Sequence, residues 1–214
     1  MARRLRVCEV FFSLQGEASR VGLPSVFIRL IGCPLRCGYC DTEYAFQGGE
    51  WRTVDALLAQ ALAYPTRHVT VSGGEPLAQK GCHDLLSVLC DAGRDVSLET
   101  SGALDIGPVD ARVARIVDVK TPGSGEVERN LWSNLDLLTP RDEVKFVITG
   151  ESDYLWARDT LLARGIAARC PVLFSPAWGL LQPTALAEWI LRDGLPVRLQ
   201  VQMHKLLWHE ARGR

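Results

Sequence analysis

Three cysteines fall within eight residues, Cys33-Pro34-Leu35-Arg36-Cys37-Gly38-Tyr39-Cys40, and no fourth follows within the next forty. For three thiols spaced C-x3-C-x2-C to face one centre, the chain must form a tight irregular loop, and the fold must leave an open space in front of it. A closed zinc or iron–sulfur site takes four protein ligands. Three thiolates on one loop can hold three irons of a cubane and leave the fourth iron open to a small molecule. The competing reading is a structural zinc loop completed by a distant ligand such as Cys8 or His68.

Composition narrows the setting. The chain has 214 residues, enough for one domain with one good core, expected over residues 1–214. A net charge of −1 gives no sequence-independent grip on nucleic acid. The three arginines of Met1–Arg6 could open a signal peptide, but Glu9, Gln15 and Glu17 interrupt the apolar stretch that would have to follow. No apolar run reaches membrane-spanning length, so a cytoplasmic protein is expected. An odd total of seven cysteines, three of them clustered, fits metal binding in a reducing compartment better than a disulfide framework. Cys8, Cys82, Cys90 and Cys170 are scattered in apolar contexts and read as buried core thiols.

Short β-rich runs alternate with helical stretches. Strands are expected at Val26–Ile31, His68–Ser72, Val96–Thr100, Arg115–Val119, Val144–Thr149, Val172–Ser175 and Val197–Met203. Helices are expected at Thr53–Ala63 with Thr53 as N-cap, at Asp84–Ala92 closed by Gly93, at Asp153–Arg164 closed by Gly165 and at Thr184–Asp193 closed by Gly194. The alternation predicts an α/β fold, a parallel sheet with helices outside. A full eight-unit barrel takes about 250 residues, so the expectation is an incomplete, open β/α barrel of about six units. The segment from Thr121 to Leu135, rich in Pro and Gly, is where loops should replace helices.

Ligands in such folds sit at the carboxyl ends of strands. Four segments place unusual residues there: Ser72-Gly73-Gly74-Glu75-Pro76, Glu99-Thr100-Ser101-Gly102, Lys120-Thr121-Pro122-Gly123-Ser124-Gly125 and Ser175-Pro176-Ala177-Trp178-Gly179. Any one of them could be a plain turn. Paired glycines also let backbone approach a ligand without obstruction by Cβ. Together with the cysteine loop, Gly73-Gly74-Glu75-Pro76 resembles the signature of radical S-adenosylmethionine (SAM) enzymes. The resemblance implies a [4Fe–4S] cluster on Cys33, Cys37 and Cys40 whose open iron holds SAM, and reductive cleavage of SAM to methionine and a 5′-deoxyadenosyl radical.

The segment before the cysteines narrows the resemblance. Ser13-Leu14-Gln15-Gly16-Glu17, the strand Phe27-Ile28-Arg29-Leu30, Cys40-Asp41-Thr42, Ser175-Pro176-Ala177-Trp178 and the run Val201-Gln202-Met203-His204-Lys205 resemble the 7-carboxy-7-deazaguanine synthases, over nearly the whole chain. That likeness implies conversion of 6-carboxy-5,6,7,8-tetrahydropterin to 7-carboxy-7-deazaguanine with loss of ammonia, in queuosine biosynthesis. It also implies hydrogen abstraction at pterin C6, regenerated SAM, assistance by Mg²⁺, a homodimer and an external electron donor such as flavodoxin.

The resemblance assigns residues as well. Leu14, Gln15, Gly16, Glu17, Arg29, Thr100, Gln202 and His204 are expected at the pterin, with Arg29 on its carboxylate. Tyr39, Cys40, Asp41, Gly73, Gly74, Glu75, Gly102, Lys145, Ser175, Pro176, Ala177 and Trp178 are expected at SAM, and Thr42 at Mg²⁺. Plainer readings stand beside these: a surface ion pair for Arg29, a turn cap for Thr42, a solvated Lys145 and an edge histidine for His204. Gln200, Gln202 and His204 alternate, so on a strand they would share a face. Ala18 stands where the likeness leads one to expect glycine. The Arg/Gly-rich end is not expected to give Arg214 the substrate contact that a terminal carboxylate makes in some members. Two other classes remain open at this point, a glycyl-radical activase and a non-catalytic zinc-binding module.

Overall fold

The computed structural model describes residues 3–214; Met1 and Ala2, the start of the basic N-terminal run and of the expected domain, lie outside it. The strands are β1 (Arg4–Leu14), β2 (Pro24–Leu30), β3 (Glu50–Thr53), β4 (His68–Gly73), β5 (Asp95–Thr100), β6 (Ala114–Asp118), β7 (Glu143–Ile148), β8 (Val172–Pro176) and β9 (Arg198–Leu199). They form one nine-stranded sheet in the order β3-β1-β2-β4-β5-β6-β7-β8-β9. From β2 to β9 every pairing is parallel, whereas β1 runs antiparallel to both β2 and β3. Six full parallel strands and the two-residue stub β9 make the incomplete barrel that the alternation predicts.

The strand pleat explains both the core and the site. Side chains alternate between faces. Val26, Ile28 and Leu30 of β2, Val69 and Val71 of β4, Val96 and Leu98 of β5, Val144, Phe146 and Ile148 of β7, and Val172 and Phe174 of β8 pack into one apolar core with the helices. The intervening residues Arg29, Ser72, Glu99, Asp118, Lys145 and Ser175 instead line a cavity inside the curved sheet. A parallel sheet ordinarily buries apolar residues on both faces. Here one face is polar, and that departure marks where chemistry is placed.

Helices α1 (Val54–Leu62), α2 (Gly81–Asp91), α3 (Glu151–Arg164) and α4 (Pro183–Asp193) cover the outer face, and α5 (Met203–Trp208) follows β9. The caps fall where expected. Thr53 accepts from Ala56 N at 3.1 Å, and Gly165 and Gly194 close their helices in the left-handed region at φ 59°. The residues between β6 and β7 form only 3₁₀ turns at Pro122–Ser124, Val127–Arg129 and Trp132–Leu137, as their Pro and Gly content predicts. The β5–β6 connection also lacks a helix.

Several expectations need correction. β1 is a long strand and β3 a short one in segments to which the sequence pattern assigns no element. α2 starts at Gly81, one turn before Asp84. The last strand does not run from Val197 to Met203: pairing with β8 ends at Leu199, the chain leaves the sheet, and α5 begins at Met203. Cys82 and Cys170 are buried as expected, but Cys8 and Cys90 are only part-buried.

Candidate active site

The carboxyl ends of the parallel strands open into a cavity of about 530 Å³. Cys33, Cys37 and Cys40 all lie on its wall. The loop that carries them is fixed from several sides. Gly32 N bonds Ala45 O at 2.8 Å, Gly38 N bonds Ser124 O at 3.0 Å, and Arg36 stacks over Phe46 with its Cζ 4.3 Å from the ring centroid. Burial pushes all three thiols above their ordinary range, so a bound metal centre would have to supply the countercharge for their thiolate forms. The zinc reading loses its distant ligands: Cys8 is not on the cavity, and His68 stands at the amino end of β4, 3.2 Å from Asp95. Among the described residues no three His, Cys, Asp or Glu side chains are grouped to hold a single ion.

The Gly73–Pro76 turn packs directly against this loop. A Cβ on Gly74 would stand 2.4 Å from Gly32 O and 2.8 Å from Cys33 Cβ, so only glycine permits the approach. Gly73 and Gly74 line the cavity, but the Glu75 side chain points away from it. Glu75 is fully buried and accepts from Leu77 N at 2.9 Å, Thr100 Oγ1 at 2.9 Å, Ser101 N at 2.7 Å and the Ser101 hydroxyl. It braces the glycine turn against the end of β5. Thr100 lines the cavity, and Gly102 lies behind it. Ser175, Pro176, Ala177 and Trp178 continue the same wall, with Trp178 42% exposed at the mouth. Two buried polar atoms here, the Tyr39 hydroxyl and Asp118 Oδ1, have no partner among the described residues. An adenosyl ligand with an amino acid tail offers hydroxyls and charges of the kind these atoms need, so the wall fits SAM as well as the cluster.

Opposite the cysteines, β1 ends in the loop Leu14–Glu17, all four residues of which line the cavity. Glu17 receives Lys145 Nζ at 2.8 Å and Gln202 Nε2 at 3.0 Å. Burial opposes the charge on Glu17, but Lys145 more than offsets this and holds the carboxyl below its ordinary range; Lys145 in turn titrates well above the usual lysine value despite its own burial. Lys145 is therefore an interior, paired lysine rather than a solvated one, and Phe146 faces the opposite way into the core. Arg29 also faces inward, with Nε 2.8 Å from Glu9 and its guanidinium between the rings of Phe11 and Tyr44. The ion pair is real, but it lies in the cavity wall rather than on the outer surface.

The C-terminal segment closes the mouth. Asp41 receives Lys205 at 3.0 Å, Gln202 at 3.1 Å and the Thr42 hydroxyl at 2.7 Å. Thr42 precedes the 3₁₀ turn Glu43–Ala45 but makes no side-chain cap bond there, so its hydroxyl faces Asp41 and the cavity. Gln202 and His204 both line the cavity, yet they do not share a strand face with Gln200. Gln202 lies between β9 and α5, His204 is on α5, and Gln200 turns away to accept from Ala18 N at 2.8 Å. His204 rests against Gly16: a Cβ there would meet its Nδ1 at 2.3 Å. Arg214 lines the cavity as well.

Sequence reasoning did not assign Ser72, Glu99, Asp118, Lys120 and Lys205 to the site, although all five line the cavity. Their signal was present, since Ser72, Glu99 and Asp118 each follow an apolar core residue near the carboxyl end of a strand. Lys120 bonds Asp118 at 2.8 Å and lies 5.9 Å from the Tyr39 ring.

Comparison with known proteins bears on this arrangement. The model of the radical SAM superfamily matches residues 28–163, more than half of the chain. The 7-carboxy-7-deazaguanine synthase of Chlorobaculum tepidum is 46% identical, over 98% of this chain and 97% of that one. The same-named protein of Koribacter versatilis is 41% identical, over 95% and 97%. Among solved structures, QueE from Escherichia coli superposes with a TM-score of 0.75 at 26% identity, covering 94% of this chain and 95% of that one. Streptococcus suis SuiB bound to S-adenosylmethionine shares the fold alone, with a TM-score of 0.56 at 14% identity over 80% of this chain and 45% of that one. By its sequence over nearly its full length, and by the cavity that gathers its cysteine loop, glycine turn and polar barrel interior, this chain belongs to the 7-carboxy-7-deazaguanine synthase family of the radical SAM superfamily.

Proposed function

We infer that this chain, as one radical SAM domain over residues 1–214, is a carbon–nitrogen lyase. It converts 6-carboxy-5,6,7,8-tetrahydropterin to 7-carboxy-7-deazaguanine and ammonia, the step that supplies the deazapurine of queuosine. One observation carries the reading: a single cavity has the three-cysteine loop on one wall and the Leu14–Glu17 loop with Arg29 on the other. Radical SAM membership brings a [4Fe–4S] cluster and SAM, which when bound supply an electron and hydrogen-atom abstraction at pterin C6. Loss of ammonia balances the reaction with no net oxidation, in keeping with SAM that is regenerated.

The chain's own residues bind, orient and exclude water. Cys33, Cys37 and Cys40 hold the cluster. Tyr39, Asp41, the Gly73–Gly74 backbone, Lys145 and the Ser175–Trp178 wall face SAM, while Glu75 supports the glycine turn from behind. Arg29 takes the substrate carboxylate through the guanidinium nitrogens that Glu9 leaves free. Leu14, Gly16, Glu17, Thr100, Gln202 and His204 surround the ring. Thr42 holds Mg²⁺ together with the substrate carboxylate, since Mg²⁺ keeps several waters and is seldom caged by protein alone. Arg214 lines the same cavity. The protein works as a homodimer in the cytoplasm, reduced by an external donor such as flavodoxin. No helix among the described residues is long and apolar enough to cross a membrane.

Anaerobic turnover of the reconstituted protein with 6-carboxytetrahydropterin, SAM, Mg²⁺ and a reductant, followed by mass spectrometry, tests the reading. A product lighter by one ammonia is expected. An unchanged pterin alongside cleaved SAM would point to another substrate.

A further inference from the structure

The loop between β1 and β2, residues 15–23, carries Gln15, Gly16 and Glu17 into the cavity, and no strand ladder reaches its middle. The backbone N–H groups of Glu17, Ala18 and Ser19 have no backbone acceptor among the described residues. Each is held instead by a side chain. Glu17 N bonds Gln15 Oε1 at 3.2 Å, Ala18 N bonds Gln200 Oε1 at 2.8 Å, and Ser19 N bonds the two oxygens of Glu143 at 3.1 and 3.0 Å. A buried backbone donor has to be satisfied, so these acceptors define the path of the loop.

Ala18 is the strained member of the three. Its φ is 61°, in the left-handed region that a residue with a Cβ adopts only where its surroundings hold it. Glycine would adopt it freely, and glycine is what the sequence resemblance leads one to expect here. Two contacts hold the alanine in place. Its methyl group packs on Ile116 and Leu173, a small apolar cluster apart from the main core, and Gln200, only 7% exposed, accepts from its N–H. The neighbouring residues are fixed by the same two stretches of chain. Glu143 and Lys145 alternate on β7, and they hold Ser19 N and the Glu17 carboxylate. Arg198, Gln200 and Gln202 reach the Ser19 hydroxyl at 2.8 Å, Ala18 N at 2.8 Å and the Glu17 carboxylate at 3.0 Å in turn. Gln15 is spent on the inner side, bonding Thr70, Glu99 and Glu17 N.

We propose that Gln200 is a positioning residue for the reaction. Its amide oxygen holds Ala18 in the left-handed turn, and that turn sets Glu17 against Lys145 and the loop against the substrate. Gln200 does not line the cavity that gathers the cysteines, so it acts through the loop alone. The inference rests on the pterin reading above for what the loop faces.

Two measurements on reconstituted, SAM-loaded enzyme test this. Hydrogen exchange with mass spectrometry reads the loop, and the fluorescence of 6-carboxypterin, an unreactive ligand, reads binding. In the wild type the Ala18 and Ser19 amides should exchange slowly with no pterin present. Exchange there at the rate of an unstructured chain would overturn the proposal, and this measurement decides the matter if the variant below does not fold. Gln200→Leu keeps a side chain of similar bulk and removes the acceptor. Residues 15–23 should then exchange about tenfold faster, and affinity for 6-carboxypterin should fall about tenfold, with iron content and SAM affinity unchanged. Adding Ala18→Gly lets the turn form without the clamp and should return the affinity to within about threefold of wild type. General destabilisation would not be reversed by a glycine. Gln200→Leu with wild-type affinity for 6-carboxypterin, or a double variant as weak as the single one, would overturn the proposal. A wild type with a protected loop that binds no 6-carboxypterin would instead overturn the pterin reading itself.

Discussion

Glu75 allows the clearest separation of a strut from a ligand. Its carboxylate accepts from Leu77 N, Thr100 Oγ1, Ser101 N and the Ser101 hydroxyl, all behind the cavity wall. Glu75→Ala leaves the two hydroxyls able to turn to other partners, but the Leu77 and Ser101 N–H groups are fixed and buried. Each unsatisfied donor costs about 1–3 kcal/mol, so the variant should lose about 4 kcal/mol. For a domain of this size that lowers Tm by about 8–16 °C. Glu75→Gln keeps an acceptor for one of these groups and opposes an NH₂ to the other, so about half the loss is expected. Thermal melting of the SAM-free protein and equilibrium dialysis with SAM should be run on both. If Glu75 only braces the turn, Glu75→Gln should be destabilised yet bind SAM within about threefold of wild type, under 1 kcal/mol. A Glu75→Gln protein as stable as wild type that has lost SAM affinity tenfold would refute this and make the carboxylate a direct SAM contact.

Three further outcomes are expected. Thr42→Ala should weaken stimulation by Mg²⁺ while leaving iron content and SAM binding intact, and in the wild type substrate should tighten Mg²⁺ as much as Mg²⁺ tightens substrate; normal stimulation in the variant would place the metal elsewhere. Gly74→Ala forces a Cβ into Gly32 O and Cys33, so anaerobically reconstituted protein should carry less iron per chain than wild type. Asp142 accepts from Arg115 Nε at 2.9 Å and from its Nη2 at 2.6 Å; burial alone would raise its pKa, but these bonds hold it below the ordinary value. Its stabilising share is thus complete above pH about 4 and lost as pH falls through the lowered native pKa. Asp142→Asn should cost about 3–5 kcal/mol at pH 7 and flatten the acid limb of the urea-stability curve; an unchanged acid limb would mean that other carboxylates govern it.

Much of the fold is legible in the sequence because one face of most parallel strands is a row of apolar residues. Val69 and Val71, or Val144, Phe146 and Ile148, could lie nowhere but under helices. β1 is less legible because Arg4, Arg6 and Glu9 break its apolar pattern; it lies toward the sheet's edge, beside the short β3, where charges are tolerated. The last strand was overread for the opposite reason. Val197–Met203 alternates well, but the alternation serves a chain leaving the sheet: Gln200 ties down Ala18, and Gln202 reaches Glu17 and Asp41. At the site, the cysteine loop and the glycine turn are local motifs and could be read directly. Glu99 and Lys205 act through partners distant in sequence, Ser72, Gln15 and Asp41, and only the fold brings those partners together. Glu75 shows the reverse case, a residue inside a legible motif whose side chain serves packing behind it.

The most direct test of the account follows one hydrogen. With 6-carboxytetrahydropterin deuterated at C6, a limiting amount of SAM and reduced, reconstituted enzyme, both SAM and product are recovered and weighed by mass spectrometry. Abstraction from C6 and regeneration of SAM predict deuterium in the recovered SAM, together with several product molecules per SAM. Product formed while SAM stays unlabelled, or one SAM destroyed for each product, would contradict the account.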